Sequence, residues 1–280
     1  MRTLIWITAL TVAITACSNR PSTAIPDRHE LSKNGFIQEQ SAYPGTVLVK
    51  RSLLKNDRVW VFIESDGAAF GTWPTRKPAM PSVKRSVALG LTLQQTGGDV
   101  IYVARPCQFL LGETASAECN NPDLWTTQRF SHEAIELIEA VIKRSLGDKK
   151  RPVTLVGHSG GGTIALAIAQ RKQFPVACVI TLGSPIDLKS WYGLSGAVPP
   201  ATAVDPANAI SVGQTPPSIF MSGEHDQLVP PSAIGRWADV IRASSHLHHI
   251  RINSTHGTGW HNALTLVETQ ACIPKRKRSQ

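Results

Sequence analysis

Along the chain, short runs of β-branched and aromatic residues alternate with stretches whose apolar residues recur at three- and four-residue spacing. Residues 46–52, 57–64, 99–106, 153–157, 177–183, 218–223 and 247–252 have the pattern of strands. Residues 131–146 place Ile135, Ile138, Val141 and Ile142 on one helical face, with Ser131 as N-cap and Gly147 as the stop. Residues 85–93, 160–171, 231–243 and 259–269 predict further helices. Strands separated by helices predict an α/β fold, a mostly parallel sheet covered on both faces. In such sheets functional groups gather at the carboxyl ends of the strands, so those ends are where chemistry is sought.

The length of 280 residues with 42% hydrophobic composition fits one large domain better than two. Lys and Arg number 29 against 20 Asp and Glu, yet they are scattered except in the tail Lys275 to Arg278. A nucleic-acid binder would gather them on one stripe among aromatic residues, so no nucleic-acid partner is expected. The cationic excess reads first as an ordinary soluble surface, with contact of the basic tail, residues 273–280, to anionic lipid headgroups as the alternative. No phosphate-binding glycine fingerprint appears, so no cofactor is expected. No cysteine pair has zinc spacing, and the "HLHH" of residues 246–249 lacks companion ligands. Metal ligands are therefore expected to be none.

The first residues place Arg2 before an apolar run from Leu4 to Ala16 that is too short to span a bilayer and stay there. Residues 1–16 read as an export signal. "ITAC", ending at Cys17, resembles the lipobox of bacterial lipoproteins, which implies a lipidated Cys17 carrying acyl chains such as palmitate. Ordinary cleavage near Cys17 is the alternative. Ser18 in place of aspartate then implies the outer membrane of the bacterial cell envelope, facing the periplasm. Residues 17–40 are polar and read as a tether between lipid and domain, leaving 41–272 for the domain.

Export sets the reading of the remaining cysteines, because an oxidising compartment favours disulfides. Cys107 and Cys119 flank a loop with little to pack a core, and a disulfide between them is expected. Cys178 lies in an apolar strand and reads as a free buried thiol. Cys272 stays open.

One junction carries chemistry. In "VTLVGHSGGGTIALAIA", Val153 to Ala169, a strand runs into a helix through a turn of glycines around Ser159. Such a turn lifts a serine hydroxyl to where a base can reach it. Asp226 follows the strand 218–223, and His256 follows the strand 247–252. A serine hydroxyl needs a neutral imidazole to take its proton and a carboxylate to orient that imidazole, so the catalytic candidates are Ser159, Asp226 and His256. His261, also past the last strand, competes for the role of base. The oxyanion formed on attack requires amide donors. Gly160 supplies one, and Asp66, in the loop after residues 57–64, supplies the other, with Ala68 as the alternative. The insert at 187–214 holds Trp191, Tyr192 and Leu194 and reads either as a cap with an apolar wall facing the acyl group or as a surface excursion.

The order Ser159, Asp226, His256 and the motifs "ESDGAAF", "ARPCQ", "WTTQRFS", "GHSGGG" and "GEHDQLVP" resemble α/β-hydrolase fold proteins, more narrowly a group of bacterial α/β-hydrolase lipoproteins. The resemblance implies the α/β-hydrolase fold, with a small cap insertion after its sixth strand. The expectation is an exported, membrane-anchored serine hydrolase, esterase- or lipase-like, using an acyl-enzyme on a small-molecule acyl substrate. Peptidase, thioesterase and acyltransferase chemistry use the same parts. A non-catalytic envelope lipoprotein that keeps the scaffold for binding is the reading from another class.

Overall fold

The computed structural model describes residues 28–52, 58–67, 81, 83, 86–109, 117–147, 150–210 and 215–267. The export signal, Cys17, Ala68, Cys272 and the basic tail lie outside these residues. Among the described residues no helix is long and apolar enough to cross a membrane.

The strands are β1 (Ile37–Gln38), β2 (Val47–Lys50), β3 (Val59–Ile63), β4 (Asp99–Val103), β5 (Val153–His158), β6 (Val176–Leu182), β7 (Ser218–Gly223) and β8 (Leu247–Ile252). They form one sheet in the order β1-β2-β4-β3-β5-β6-β7-β8. β1, β2 and β4 pair antiparallel, and every pair from β4 to β8 is parallel. The helices are α1 (Arg28–Lys33), α2 (Val87–Gln94), α3 (His132–Leu146), α4 (Gly160–Arg171), α5 (Leu188–Gly193), α6 (Trp237–Arg242) and α7 (Ala263–Val267).

Alternation along the strands divides the core into two layers. Val59, Val61 and Ile63 of β3 pack on one face with Ile135 and Ile138 of α3, Leu166 of α4 and Trp237 of α6. Trp60 and Phe62 pack on the other with Leu89 and Leu91 of α2 and Ala263 of α7. Because both faces are covered, β3, β4 and β5 are buried along their whole length, which is why they read as mostly apolar runs without alternation of polar and apolar residues. Helix α3 starts where the serine at 131 accepts from the Ala134 amide and stops at Gly147, with φ of 64°.

Three expectations change. The polar stretch up to residue 40 is not all tether: α1 and β1 belong to the fold, and Leu31 and Phe36 are buried in the layer with α2. Two apolar anchors suffice to dock so short a segment, and its polar majority hid them. The helix expected over 231–243 is broken into a 3-10 turn at Pro231–Ile234 and α6. The break is Gly235, at φ 51°, whose Cα lies so close to Asp187 and Ser190 that a side chain has no room. Cys178, expected as a free thiol, is disulfide-bonded. An apolar strand buries a thiol and a disulfide equally well, so its surroundings do not discriminate between them.

Cys107 and Cys119 are joined in a disulfide, Cα to Cα 5.5 Å. Both half-cystines pack with Leu124, Trp125 and Ala134 in a small cluster of their own.

Candidate active site

Strands β5, β6, β7 and β8 are consecutive neighbours, and their carboxyl ends meet at one edge. Ser159 follows β5, Asp226 follows β7 and His256 follows β8. The structure brings them into one line: His256 Nε2 is 3.0 Å from Ser159 Oγ, and His256 Nδ1 is 2.8 Å from Asp226 Oδ2. The Asp226 side chain is fully buried, and its other oxygen accepts from the amides of Leu228 and Val229, each at 2.9 Å. With both oxygens occupied, the carboxylate cannot rotate away from the imidazole, and Nδ1 of a neutral His256 must carry the proton. That leaves Nε2 as the acceptor facing the serine.

Ser159 has φ of 53° and ψ of −129°, a left-handed-side conformation that non-glycine residues rarely hold. Close packing beneath it sustains the strain. The Cα of Gly161 lies against the carbonyl groups of Ile63 and Glu64, and a Cβ on Gly157 would strike Gly161. The turn thus nests α4 against the end of β3, with the amino terminus of α4 directly after the serine. His261 is placed elsewhere: it is exposed and lines a hollow of about 330 Å³ with Arg58, Trp60 and Leu91.

The loop after β3 runs past the same point. The Glu64 amide donates to the Val103 carbonyl at 3.0 Å, and the Ser65 amide to the Glu64 carboxylate at 2.7 Å. Among the described residues the next amide, Asp66, has no such acceptor, and neither has Gly160. The two residues touch, because a Cβ on Gly160 would overlap the Asp66 carboxylate. Buried Glu64 fixes this loop by accepting from Tyr102 Oη at 2.8 Å and from the Ser86 hydroxyl. Burial and the neighbouring Glu64 push the Tyr102 phenol well above its ordinary range, so it stays a donor.

Sequence and structure comparisons agree with this architecture. A family model described as alpha/beta hydrolase fold matches residues 121–207, the segment that contains Ser159. No curated protein matches the chain in sequence. An acylaminoacyl peptidase from Pyrococcus horikoshii is similar in structure, with TM-score 0.54 and 13% identity over 82% of this chain; the match spans 39% of that longer protein. An esterase from Pyrococcus furiosus gives TM-score 0.53 and 12% identity over 85% of this chain and 89% of that one. An alpha-beta serine hydrolase homologue from Coxiella burnetii gives TM-score 0.51 and 13% identity over 84% and 93% of the two chains.

The chain has the α/β-hydrolase fold.

Within this hydrolase fold, several residues at the site escape a reading of motifs. Gly183, after β6, has φ of 51° and lies under the Asp226–His256 contact: a Cβ there would stand 2.9 Å from Asp226 Oδ2 and 3.6 Å from His256 Nδ1. His158 bonds the main chain of His256. Arg105 and Arg129, buried to 3% and 5% side-chain exposure, both pair with Asp66. The strand-end position of Gly183 and His158 was the available signal; the arginines have none, since their loops meet only in the folded chain.

The insert after β6 is tied down on both sides of the site. Arg236 bonds Asp187 and Asp205, whose carboxylates also cap α5. Arg236 and the amides around it hold Asp187 well below the usual carboxylate range, against the upward push of its burial. From α5, Trp191 Nε1 donates to the Leu228 carbonyl beside Asp226 at 2.7 Å, while the neighbouring Tyr192 hydroxyl accepts from Arg129 at 2.8 Å. Beyond α5, residues 194–198 are exposed.

Proposed function

We propose that this protein is a serine hydrolase that cleaves carboxylic esters through an acyl-enzyme, exported and held at a membrane by lipid on Cys17. The observation that carries the reading is the unbroken contact from Ser159 Oγ through both nitrogens of His256 to buried Asp226. Ser159 Oγ bonds to the ester carbonyl carbon as its proton passes to His256 Nε2, and the carbonyl oxygen becomes an oxyanion facing the amides of Asp66 and Gly160. The bond to the leaving alkoxide then breaks, and His256 returns the proton to it. Water repeats the sequence on the acyl-enzyme, releasing the acid and restoring Ser159. Asp226 stays ionised throughout and stabilises the imidazolium.

The acyl substrate we propose is apolar, and the exposed side chains of the insert support that choice. Of the five large apolar residues standing exposed among those described, Leu194, Val198 and Leu228 lie on the insert and on the loop of Asp226. The similar esterase from Pyrococcus furiosus supports ester chemistry on this scaffold.

The test is labelling by a fluorophosphonate together with hydrolysis of a panel of short and long acyl esters. Ser159→Ala and His256→Ala should each lose turnover by on the order of 10^4 or more. His261→Ala should stay within about twofold, since surface substitutions away from a site change little. Labelling of Ser159→Ala at the rate of the unaltered chain would remove the hydrolase reading, and membrane retention of an unlipidated Cys17→Ser chain would remove the anchor.

A further inference from the structure

The Asp66 carboxylate stands where a hydrolase can least use it. It lies against the Cα of Gly160, whose amide, with that of Asp66 itself, faces the oxyanion in the reading above. A negative charge at that place opposes the negative charge that develops on the substrate oxygen, and in a partly buried site little water screens it.

The structure answers this charge from both sides. Arg105 Nη1 bonds Asp66 Oδ1, and Arg129 Nε bonds Asp66 Oδ2 at 3.1 Å, one guanidinium for each carboxylate oxygen. Both cations are held by main-chain acceptors: Arg105 Nη2 on the Arg129 carbonyl, Arg129 Nη1 on the Thr126 carbonyl at 2.7 Å. Both stand over the Phe130 ring, 5.7 Å and 4.8 Å from its centroid. Arg129 Nη2 reaches the Tyr192 hydroxyl on α5, so the insert also bears on the oxyanion loop.

Stability alone is a poor reason for such a cluster, because buried ion pairs lose in desolvation much of what they gain by attraction. A planar guanidinium is, however, suited to holding one carboxylate in one orientation. We infer that Arg105 and Arg129 are positioning residues for the oxyanion hole: they neutralise Asp66 and fix its loop so that its amide and that of Gly160 face the reacting oxygen without an opposing charge. The inference rests on the serine-hydrolase reading and adds to it a requirement for charge compensation.

A double-substitution cycle on the full chain in detergent tests this, with first-turnover release of 4-nitrophenolate from 4-nitrophenyl butyrate as the readout. Arg129→Met leaves Asp66 half compensated and should slow acylation by on the order of 10²-fold, the scale of losing an oxyanion donor, with KM within about threefold. Adding Asp66→Asn removes the offending charge and should restore at least about tenfold, a coupling that a merely structural arginine would not give. Tyr192→Phe, which removes only the hydroxyl under Arg129, should lose a few-fold in the same rate. If Arg129→Met does not fold, Arg129→Lys replaces it in the same cycle, because an ammonium cannot serve Asp66, Thr126 and Tyr192 together.

Arginine variants as fast as the unaltered chain overturn the inference, as does a loss confined to KM or a double variant no faster than the single one. Ser159→Ala runs in parallel. If it is inert while Arg129→Met is unimpaired, only the charge compensation fails; if it releases 4-nitrophenolate as fast as the unaltered chain, the hydrolase reading fails and the inference falls with it.

Discussion

His158 Nε2 lies 2.8 Å from the main-chain oxygen of His256, so the residue before Ser159 holds the loop that carries its base. Because the acceptor is a carbonyl, Nε2 must carry the proton. Trp260 Nε1 donates to the same oxygen at 3.1 Å and stands edge-on to the His158 ring. Burial, helped by the neighbouring His256, pushes the His158 imidazole down to about 3, so it is neutral through the pH range in which the enzyme reading places its chemistry. Neutrality suits the position, since a cation 5.1 Å from the His256 ring would oppose its protonation during turnover.

That neutrality makes stability depend on pH. Unfolded, His158 takes a proton near its ordinary value of about 6.5; folded, it refuses one until about 3. Between these values the unfolded chain binds more protons, so the contribution is full above about pH 6.5 and is lost progressively as pH falls toward 3. His249, pushed down by burial and by Arg251, acts with the same sign. Asp99 and Asp187, both held low, lose their contributions only below the ordinary carboxylate value of about 3.9, so the range above about pH 4.5 isolates the histidines. Urea unfolding should show midpoints falling from pH 6.5 to 4.5. His158→Asn, which still offers a donor to His256, should flatten that fall, and an unchanged slope would contradict the assignment.

Gly183 gives a sharper test of the Asp226–His256 geometry. A Cβ at Gly183 meets Asp226 Oδ2 at 2.9 Å and Trp260 Cζ2 at 3.2 Å, and the φ of 51° adds backbone strain. Asp226 Oδ1 is held by two amides, so relieving the contact must shift Oδ2 or the main chain of Gly183, and either disturbs the bond from Oδ2 to His256 Nδ1. Gly183→Ala should keep the fold and lower kcat by on the order of 10²-fold, as displacements of about 1 Å at reacting groups do. Kinetics on a variant shown by circular dichroism to be folded would check this, and full activity would mean that the contact accommodates a methyl group.

Much of this architecture is legible in the sequence because it follows from local rules. The strand into Ser159, the caps of α3 and the position of Asp226 and His256 after successive strands all come from patterns within a dozen residues. What is not legible depends on distant parts meeting. Leu31 and Phe36 gain meaning only when β1 pairs with β2, and the helix break at Gly235, with φ of 51°, takes a glycine where Asp187, far away in the chain, occupies the space of a side chain. Gly183 looks like an ordinary turn glycine until Asp226 and Trp260 are set beside it. Arg105 and Arg129 look like scattered surface cations, yet their guanidinium groups converge on Asp66 in the interior. Composition cannot report a pairing, because the same residue type serves a solvated face and a buried ion pair.

The disulfide between Cys107 and Cys119 bears on the same loop. Cys107 is fully buried and has φ of 66°, a conformation its side chain disfavours, and the next residue, Gln108, reaches into the site. Gln108 Nε2 donates to the Ser65 carbonyl at 3.0 Å, and its Oε1 accepts from the Arg105 amide at 3.0 Å. The cross-link thus fixes a residue that holds both the oxyanion loop and one of the arginines on Asp66. Closing a loop of this length should contribute roughly 3 kcal/mol by restricting the unfolded chain. Cys107→Ser with Cys119→Ser should therefore lower the urea midpoint, and at low urea, where the chain is still folded, it should also slow acylation by several-fold as Gln108 loosens its hold on Ser65. Unfolding curves and first-turnover kinetics on the same preparation separate the two effects. A stability loss with unchanged acylation would confine the disulfide to stability and break the proposed link from Gln108 to the oxyanion loop.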